Sequence, residues 1–208
     1  MNSASPTRER IRREAATLFR VKGYNGTSMA ELANEVGLAK SGVYHHFPCK
    51  QDLLSEIIEL TVNRVTPRLA AVVDSALPPE EKLRRAVTLH TVEAIRDRDA
   101  VACFIEEGRF LDDDKLAAHL ANRDQYEQLF RRILVEGIES GVMAPQDVGL
   151  SVRALLGMCN SVVRWYRPEG DATAEEVAEA FARIAVGGTI GLGEAGVPIE
   201  RRTNGRGA

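Results

Sequence analysis

The 208-residue chain is predicted to be all-α, and three observations predict it. Apolar residues recur with a period near 3.6 in almost every apolar segment. No stretch keeps the strict alternation of a half-buried strand. Clusters of turn formers, among them KGYNGTS, SALPPEEK and RPEGDAT, separate the periodic segments. About nine helices follow from this pattern, with no internal repeat.

The first helix is expected over about 7–21, with Ile11, Ala15, Leu18 and Phe19 on one face and arginines on the other. Glycine in KGYNGTS ends it, and Thr27 or Ser28 supplies the next N-cap. MAELANEV makes the second helix, presenting Met29, Leu32, Ala33 and Val36 before Gly37 stops it. A very short third helix spans about 40–46, and Pro48 directs the chain into a fourth that starts near Lys50. The fourth carries Leu54, Ile58, Val62, Val65, Leu69, Val72 and Ala76 as one stripe, with a kink or break expected at Pro67, which lacks an N–H. The fifth is expected at 79–97 and the sixth at 99–110. DDDK opens the seventh, which runs to about Ser140. The eighth, 147–166, aligns Val148, Val152, Leu155, Cys159, Val162 and Tyr166, and the ninth covers 174–190. The chain thereby divides into a flexible arm (1–7), a head (8–53), a larger helical body (54–192) and an aperiodic tail (193–208) expected to be disordered.

Composition narrows the class further. No run approaches the ~18 apolar residues of a membrane span, and the first residues lack the apolar segment of a secretory signal. Cys49, Cys103 and Cys159 are odd in number, far apart and without CxxC spacing, which predicts reduced thiols in a cytoplasmic protein, with no zinc site or disulfide framework. The net charge of −3 is unevenly spread: residues 1–50 carry eight Lys/Arg against four Glu, a net +4 that leaves −7 for the rest. A basic head on an acidic body predicts that the head meets a polyanion.

GLAKSGVYHHFPCK (37–50) gives that polyanion an identity. Two helices joined by a tight glycine turn have the layout of a helix-turn-helix, whose second helix enters the DNA major groove. Lys40 can donate to guanine, Ser41 is a small donor and acceptor, and Gly42 lets the backbone come close. Tyr44 and His45 reach for phosphates, Lys50 stands at a helix N-terminus that also attracts them, and Thr27 and Ser28 offer hydroxyls. His45 and His46 point about 100° apart on a helix, which disfavours joint metal binding; Val43 and Phe47 read as core.

GYNGTSMAELANEVGLAKSGVYHHFPCKQDLL strongly resembles the N-terminal domain of TetR-family transcriptional repressors, from about Arg8 onward. The resemblance implies a three-helix helix-turn-helix domain followed by a helical ligand-binding and dimerisation domain. It also places Thr27, Ser28, Lys40, Ser41, Gly42, Tyr44, His45 and Lys50 at positions where the family contacts DNA. Ala39 and Cys49 depart from the hydroxyl or amide residues common there, so weaker caps are expected on the third and fourth helices.

A helix-turn-helix reads a half-site, so the body is expected to make a homodimer on a palindromic operator. The eighth and ninth helices are the candidate interface, with Val152, Leu155, Val162, Val177, Phe181 and Ile184 facing the partner or, alternatively, completing the monomer core. The resemblance also implies a small-molecule inducer among helices four to eight, for which Cys103, Phe104, Phe110, Met158 and Cys159 are candidate lining residues or plain core. VVRWYRPEG (162–170) resembles a segment of TetR-type regulators of lipid and steroid catabolism, some of which sense acyl-CoA thioesters. Arg164 and Arg167 then address phosphates or a carboxylate with Trp165 and Tyr166 against an apolar or ring system; the competing reading is cations at a helix C-terminus over a packed Trp165. The acidic run around Asp112–Asp114 is read as helix capping rather than a cation site. An enzyme is disfavoured: Walker, GxGxxG, GxSxG and HExxH motifs are all missing, and His90 and His119 have no ligand spacing. The remaining alternative, a helical protein-binding scaffold, leaves the basic head unexplained. No cofactor and no membrane partner are expected.

Overall fold

Pro6, whose missing N–H costs nothing in a first helical turn, opens α1 (Pro6–Lys22). The computed structural model describes residues 5–190, so Met1–Ala4 of the expected arm and the whole 193–208 tail lie outside the described residues. Residues 6 and 7, expected in the arm, are helical. Ser28 Oγ accepts from Glu31 N (3.1 Å) and caps α2 (Met29–Glu35). Gly37, at φ +63°, makes the left-handed turn into α3 (Lys40–His46), which Ala39 leaves without a side-chain cap, as expected. Cys49 does cap α4 (Lys50–Val73): its Sγ accepts from Asp52 N at 3.4 Å and lies 3.1 Å from Asp52 Oδ2.

Of the kink or break expected at Pro67, the break does not occur: α4 runs through it to Val73. Proline's fixed φ is helical; what it costs is one hydrogen bond and a crowded carbonyl, ~3 kcal/mol. Val65, Leu69 and Val73 are buried on either side, and at ~1.5–3 kcal/mol each they outweigh that cost.

The body continues with α5 (Pro79–Arg96), α6 (Arg98–Ala102), α7 (Asp113–Glu139), α8 (Val148–Asn160), α9 (Val162–Trp165) and α10 (Ala174–Ile190). Two predicted helices are interrupted. The sixth relaxes after Ala102 into a π-helical turn (Cys103–Glu107) and a 3-10 turn (Gly108–Phe110). The eighth breaks at Ser161, whose hydroxyl donates to Met158 O (2.7 Å). Among the described residues there is no strand, and no helix is long and apolar enough to cross a membrane.

Among the described residues, three clusters form the interior. Ile11, Phe19, Leu32, Val43, Phe47, Leu53 and Ile57 make the core of the head, which also takes in Ala100, Cys103 and Leu111 from the α6 region. Leu69, Leu83, Val87, Phe130, Ile133, Val152 and Cys159 centre the bundle. Ala94, Val101, Val162, Tyr166 and Val177 form a smaller cluster beside it.

Residues 99–115 fasten head to body through polar contacts as well. Asp99 accepts from Thr17 Oγ1 (2.6 Å) and pairs with Arg20. Glu107 accepts from Tyr24 N (3.0 Å), and Lys115 pairs with Asp52 (2.9 Å). The Gln51 amide donates to Phe110 O (2.6 Å) and accepts from Asp112 N (3.2 Å).

Candidate nucleic-acid interface and apolar cavity

Helix α3 buries Val43 and Phe47 and turns Lys40, Ser41, Tyr44 and His45 outward, as its amphipathic pattern requires. Lys40 Nζ lies 5.7 Å from the Tyr44 ring, one turn along the helix. A Cβ added at Gly42 would meet only Leu38 Cβ, at 3.8 Å, so the bare backbone there is not demanded by internal packing. His45 and His46 rings meet edge-on at 5.4 Å, and no group of three His, Cys, Asp or Glu suited to a metal occurs among the described residues.

Thr27, Ser28, Lys40, Tyr44 and Lys50 converge on one concavity between the N-termini of α2 and α4 and the exposed side of α3. Two of these differ from expectation. Thr27 is 2% exposed and its hydroxyl donates to Gly23 O (3.0 Å), so it fixes the α1–α2 loop while Ser28 caps the helix. Lys50 Nζ donates to Tyr24 O (2.7 Å) and Thr27 O (2.8 Å) and sits 4.1 Å over the Tyr24 ring. Two of its three N–H donors are spent inside the protein, and burial lowers its pKa. The Lys50 ammonium therefore ties α4 to the loop before α2, and that helps set the angle of the helix-turn-helix.

A cavity of about 230 Å³ lies between α4, α5, the π-helical turn, α7 and α8. Thr61, Val62, Val65, Ala94, Val101, Phe104, Ile105 and Leu156 give it a mostly apolar wall. His90, Glu93, His119, Arg123, Tyr126, Glu127 and Asn160 bring the polar groups. Of the eight residues expected at a ligand site, Phe104 alone lines it. Cys103 is fully buried against α1, its thiol raised above the usual range by burial first and then by Glu107. Cys159 is equally buried, and burial raises its thiol to about 11. Phe110 stacks on Tyr24 at 5.7 Å, and Met158 packs against the bundle core. Arg164 pairs with Glu106 (2.9 Å), Arg167 donates to its neighbour's carbonyl (Tyr166 O, 3.4 Å), and Trp165 donates to Ser161 Oγ (3.0 Å). Arg164, Trp165 and Arg167 thus have partners within the protein and lie outside the cavity lining, as do Cys103, Phe110, Met158 and Cys159.

The polar groups that the sequence reading missed are ordered. His90 Nε2 is 2.9 Å from Asn160 Oδ1, and Nδ1 is 2.9 Å from Tyr126 Oη. With the amide oxygen facing the ring, Nε2–H donates to Asn160 and Nδ1 accepts from the Tyr126 hydroxyl. Burial lowers the pKa of His90, although Asn160 opposes it, and raises that of Tyr126, so both stay neutral. His119 packs edge-on against Phe104 at 4.8 Å, and its buried Nδ1 has no partner. One signal was legible: His90 and Tyr126 sit on the apolar stripes of their helices, where an aliphatic residue is the default.

The candidate dimer residues also divide. Val152, Leu155, Val162 and Val177 are at most 7% exposed and belong to the protomer's own core, which corrects their assignment to an interface. Phe181 is half-buried against Trp165 (6.2 Å between ring centroids), while Ile184 is 61% exposed. The outward faces of α8 and α10 carry Leu150, Ala154 and Gly157, and Ile184, Gly187 and Gly188, respectively. A Cβ at Gly157, Gly187 or Gly188 would meet nothing within 4 Å.

Residues 11–57 match the model for bacterial regulatory proteins of the tetR family, and residues 76–189 match the tetracyclin repressor-like C-terminal domain. The HTH-type transcriptional repressor KstR2 of Mycobacterium tuberculosis is 29% identical over 177 residues, 84% of this chain and 88% of that protein. A solved structure of the M. tuberculosis ketosteroid transcriptional regulator KstR2 superposes with TM-score 0.84, covering 91% of this chain and 96% of that one at 26% identity. The TetR-family regulator PfmR of Thermus thermophilus is 36% identical, with TM-score 0.78 over 85% of this chain and 97% of its own. AibR, solved with isovaleryl coenzyme A and operator DNA, is 25% identical, with TM-score 0.77 over 86% of this chain and 97% of its own. The matched families and relatives are transcriptional regulators, not enzymes.

Proposed function

We propose, from the fact that this chain belongs to the TetR family of bacterial regulatory proteins, that it is a homodimeric repressor of a palindromic operator released by an acyl-CoA thioester. The observation that carries this reading is the exposed face of α3, where Lys40, Ser41, Tyr44 and His45 stand free above a buried Val43 and Phe47. Lys40 and Ser41 lie at the helix N-terminus, the end that meets base edges, and Tyr44, His45 and Ser28 take the phosphates. The exposed, small-residue faces of α8 and α10 support the dimer: they permit close helix approach and present Leu150 and Ile184 for burial.

The inducer reading rests on the cavity. Its 230 Å³ is below the ~300–1,000 Å³ of pockets that bury drug-sized ligands and equals about eight water volumes. That favours a short or medium acyl group over a fused steroid ring system. AibR, solved with isovaleryl coenzyme A, lends the thioester class its support. Phe104 and Ile105 belong both to the cavity wall and to the 99–115 strap that grips the head, so a ligand pressing on them moves the head.

Fluorescence anisotropy with the promoter region upstream of the protein's own gene tests both halves. Specific retention should weaken steeply with salt, as expected when about eight phosphates are contacted, and isovaleryl- or octanoyl-CoA should reverse it. Operator binding that ignores every acyl-CoA would reject the inducer class; no specific binding would reject the repressor.

A further inference from the structure

A second concavity, of 750 Å³, opens beside the apolar cavity and shares Thr61 and Glu93 with it. It runs between α1 of the head and, from the body, α4, the α5–α6 corner and the Tyr166–Pro168 segment. Six arginines line it: Arg12 and Arg13 from α1, Arg64 and Arg68 from α4, and Arg96 and Arg98 at the corner. Four carboxylates face them, and they do not neutralise the groove. Asp99 is taken by Arg20 and Thr17, neither of which lines it. Glu93 is shared between Arg68 (2.6 Å) and Arg64 (3.4 Å), and Asp97 pairs with Arg64 (2.6 Å). Arg12 has carboxylates at 3.9 and 4.0 Å, and Arg13 has one at 3.9 Å. Arg96 pairs with Glu175 (3.0 Å), and Arg98 donates to a carbonyl, Tyr166 O, at 2.7 Å. The lining therefore sets six arginines against four carboxylates, in a groove that adjoins the small apolar cavity across Thr61 and Glu93.

We propose that this arginine groove binds the phosphates of the inducer's nucleotide moiety while the cavity holds its acyl group. The inference rests on the acyl-CoA reading of the inducer and assigns the part of that molecule the cavity is too small to hold. Guanidinium groups suit this task because their forked N–H donors match phosphate oxygens pairwise. The groove shares no lining residue with the concavity beside α3, so inducer and operator phosphates do not compete for the same arginines. Phosphates bound here bridge Arg12 and Arg13 of the head to Arg64, Arg68 and Arg96 of the body. Ligand binding thus fixes the angle between the two, a route to release that adds to pressure on the cavity wall. In VVRWYRPEG, the groove is lined by Tyr166 and Pro168 rather than by Arg164 or Arg167.

Isothermal titration of the full chain tests this with three probes: isovaleryl-CoA, free CoA, and the isovaleryl thioester of N-acetylcysteamine, which keeps the acyl group and lacks the nucleotide. Free CoA should bind measurably, and isovaleryl-CoA should bind more tightly than either fragment, with an affinity that falls as salt rises. The double variant Arg12→Gln/Arg13→Gln and the single variant Arg64→Gln should each weaken isovaleryl-CoA by about tenfold or more. Both should flatten its salt dependence and leave the N-acetylcysteamine thioester unchanged. Thermal melts check folding; if Arg64→Gln is destabilised through Glu93 and Asp97, the head variant, whose arginines have carboxylates no nearer than 3.9 Å, decides the matter. Wild-type affinity for isovaleryl-CoA in the head variant overturns the groove assignment alone. Failure of every CoA thioester to bind the wild-type chain overturns the inducer reading and the groove with it.

Discussion

Replacing Ile184 with aspartate isolates the dimer contact from the protomer's fold. Ile184 is 61% exposed on α10, so the folded protomer loses little when it is changed. Full burial of an isoleucine is worth ~1.5–3 kcal/mol, and covering the exposed three-fifths is worth about 1–2 kcal/mol. A two-fold axis counts each side chain twice, giving about 2–4 kcal/mol per dimer, and a buried, unpaired carboxylate adds to the loss. Each 1.4 kcal/mol is tenfold in Kd, so Ile184→Asp should raise the dimer dissociation constant between about 30- and 700-fold. Sedimentation equilibrium measures this directly, and circular dichroism should show an unchanged helical fold. Val152→Ala is the control. Val152 is fully buried in the bundle core, so that variant should lose ~1–3 kcal/mol of stability while its dimer constant stays near wild type. A dimer constant unmoved by Ile184→Asp would show that the outward faces of α8 and α10 are not the interface.

The remaining expectations concern the head, the cavity and pH. Lys40→Ala should cost ~1–3 kcal/mol of specific operator affinity in anisotropy titrations while the melting temperature stays constant. Lys50→Ala should behave in the opposite way, lowering the melting temperature by removing two internal hydrogen bonds; a larger effect on operator affinity than on stability would restore its reading as a phosphate contact. Gly108→Ala would set a Cβ 2.5 Å from His119 Nε2, so ~1–3 kcal/mol of destabilisation and weaker inducer binding are expected in denaturant and titration curves. Burial depresses the pKa of both His90 and His119, so the unfolded chain binds protons more readily than the folded one. That stability is complete above the ordinary imidazole value near 6.5 and declines as pH falls below it. Melting temperature should therefore drop from about pH 7.5 to about pH 5.5, and less steeply in His90→Gln.

The head was readable from the chain because its information is local. A capped start at Ser28, a left-handed turn at Gly37 and the buried pair Val43 and Phe47 are all set within a few residues of one another. The same local rules do not settle whether a helix stops at Pro67, where α4 continues with buried residues on both sides, or at Ser161, where α8 gives way to the short α9. A stripe of period 3.6 says that Val152 and Leu155 are buried; it does not say whether a partner or the same chain buries them.

The all-helical class, the helix-turn-helix and the surface of α3 are written in the order of the residues, since hydrogen-bonding period, capping and turn chemistry act between neighbours. Tertiary structure alone decided that Lys50 spends its charge inside the head, that His90, Tyr126 and Asn160 form a neutral network around a cavity, and that six arginines from three parts of the chain share one groove. Those groups stand 26, 36 and more residues from their partners, and such distances are closed by packing geometry, which no local rule encodes.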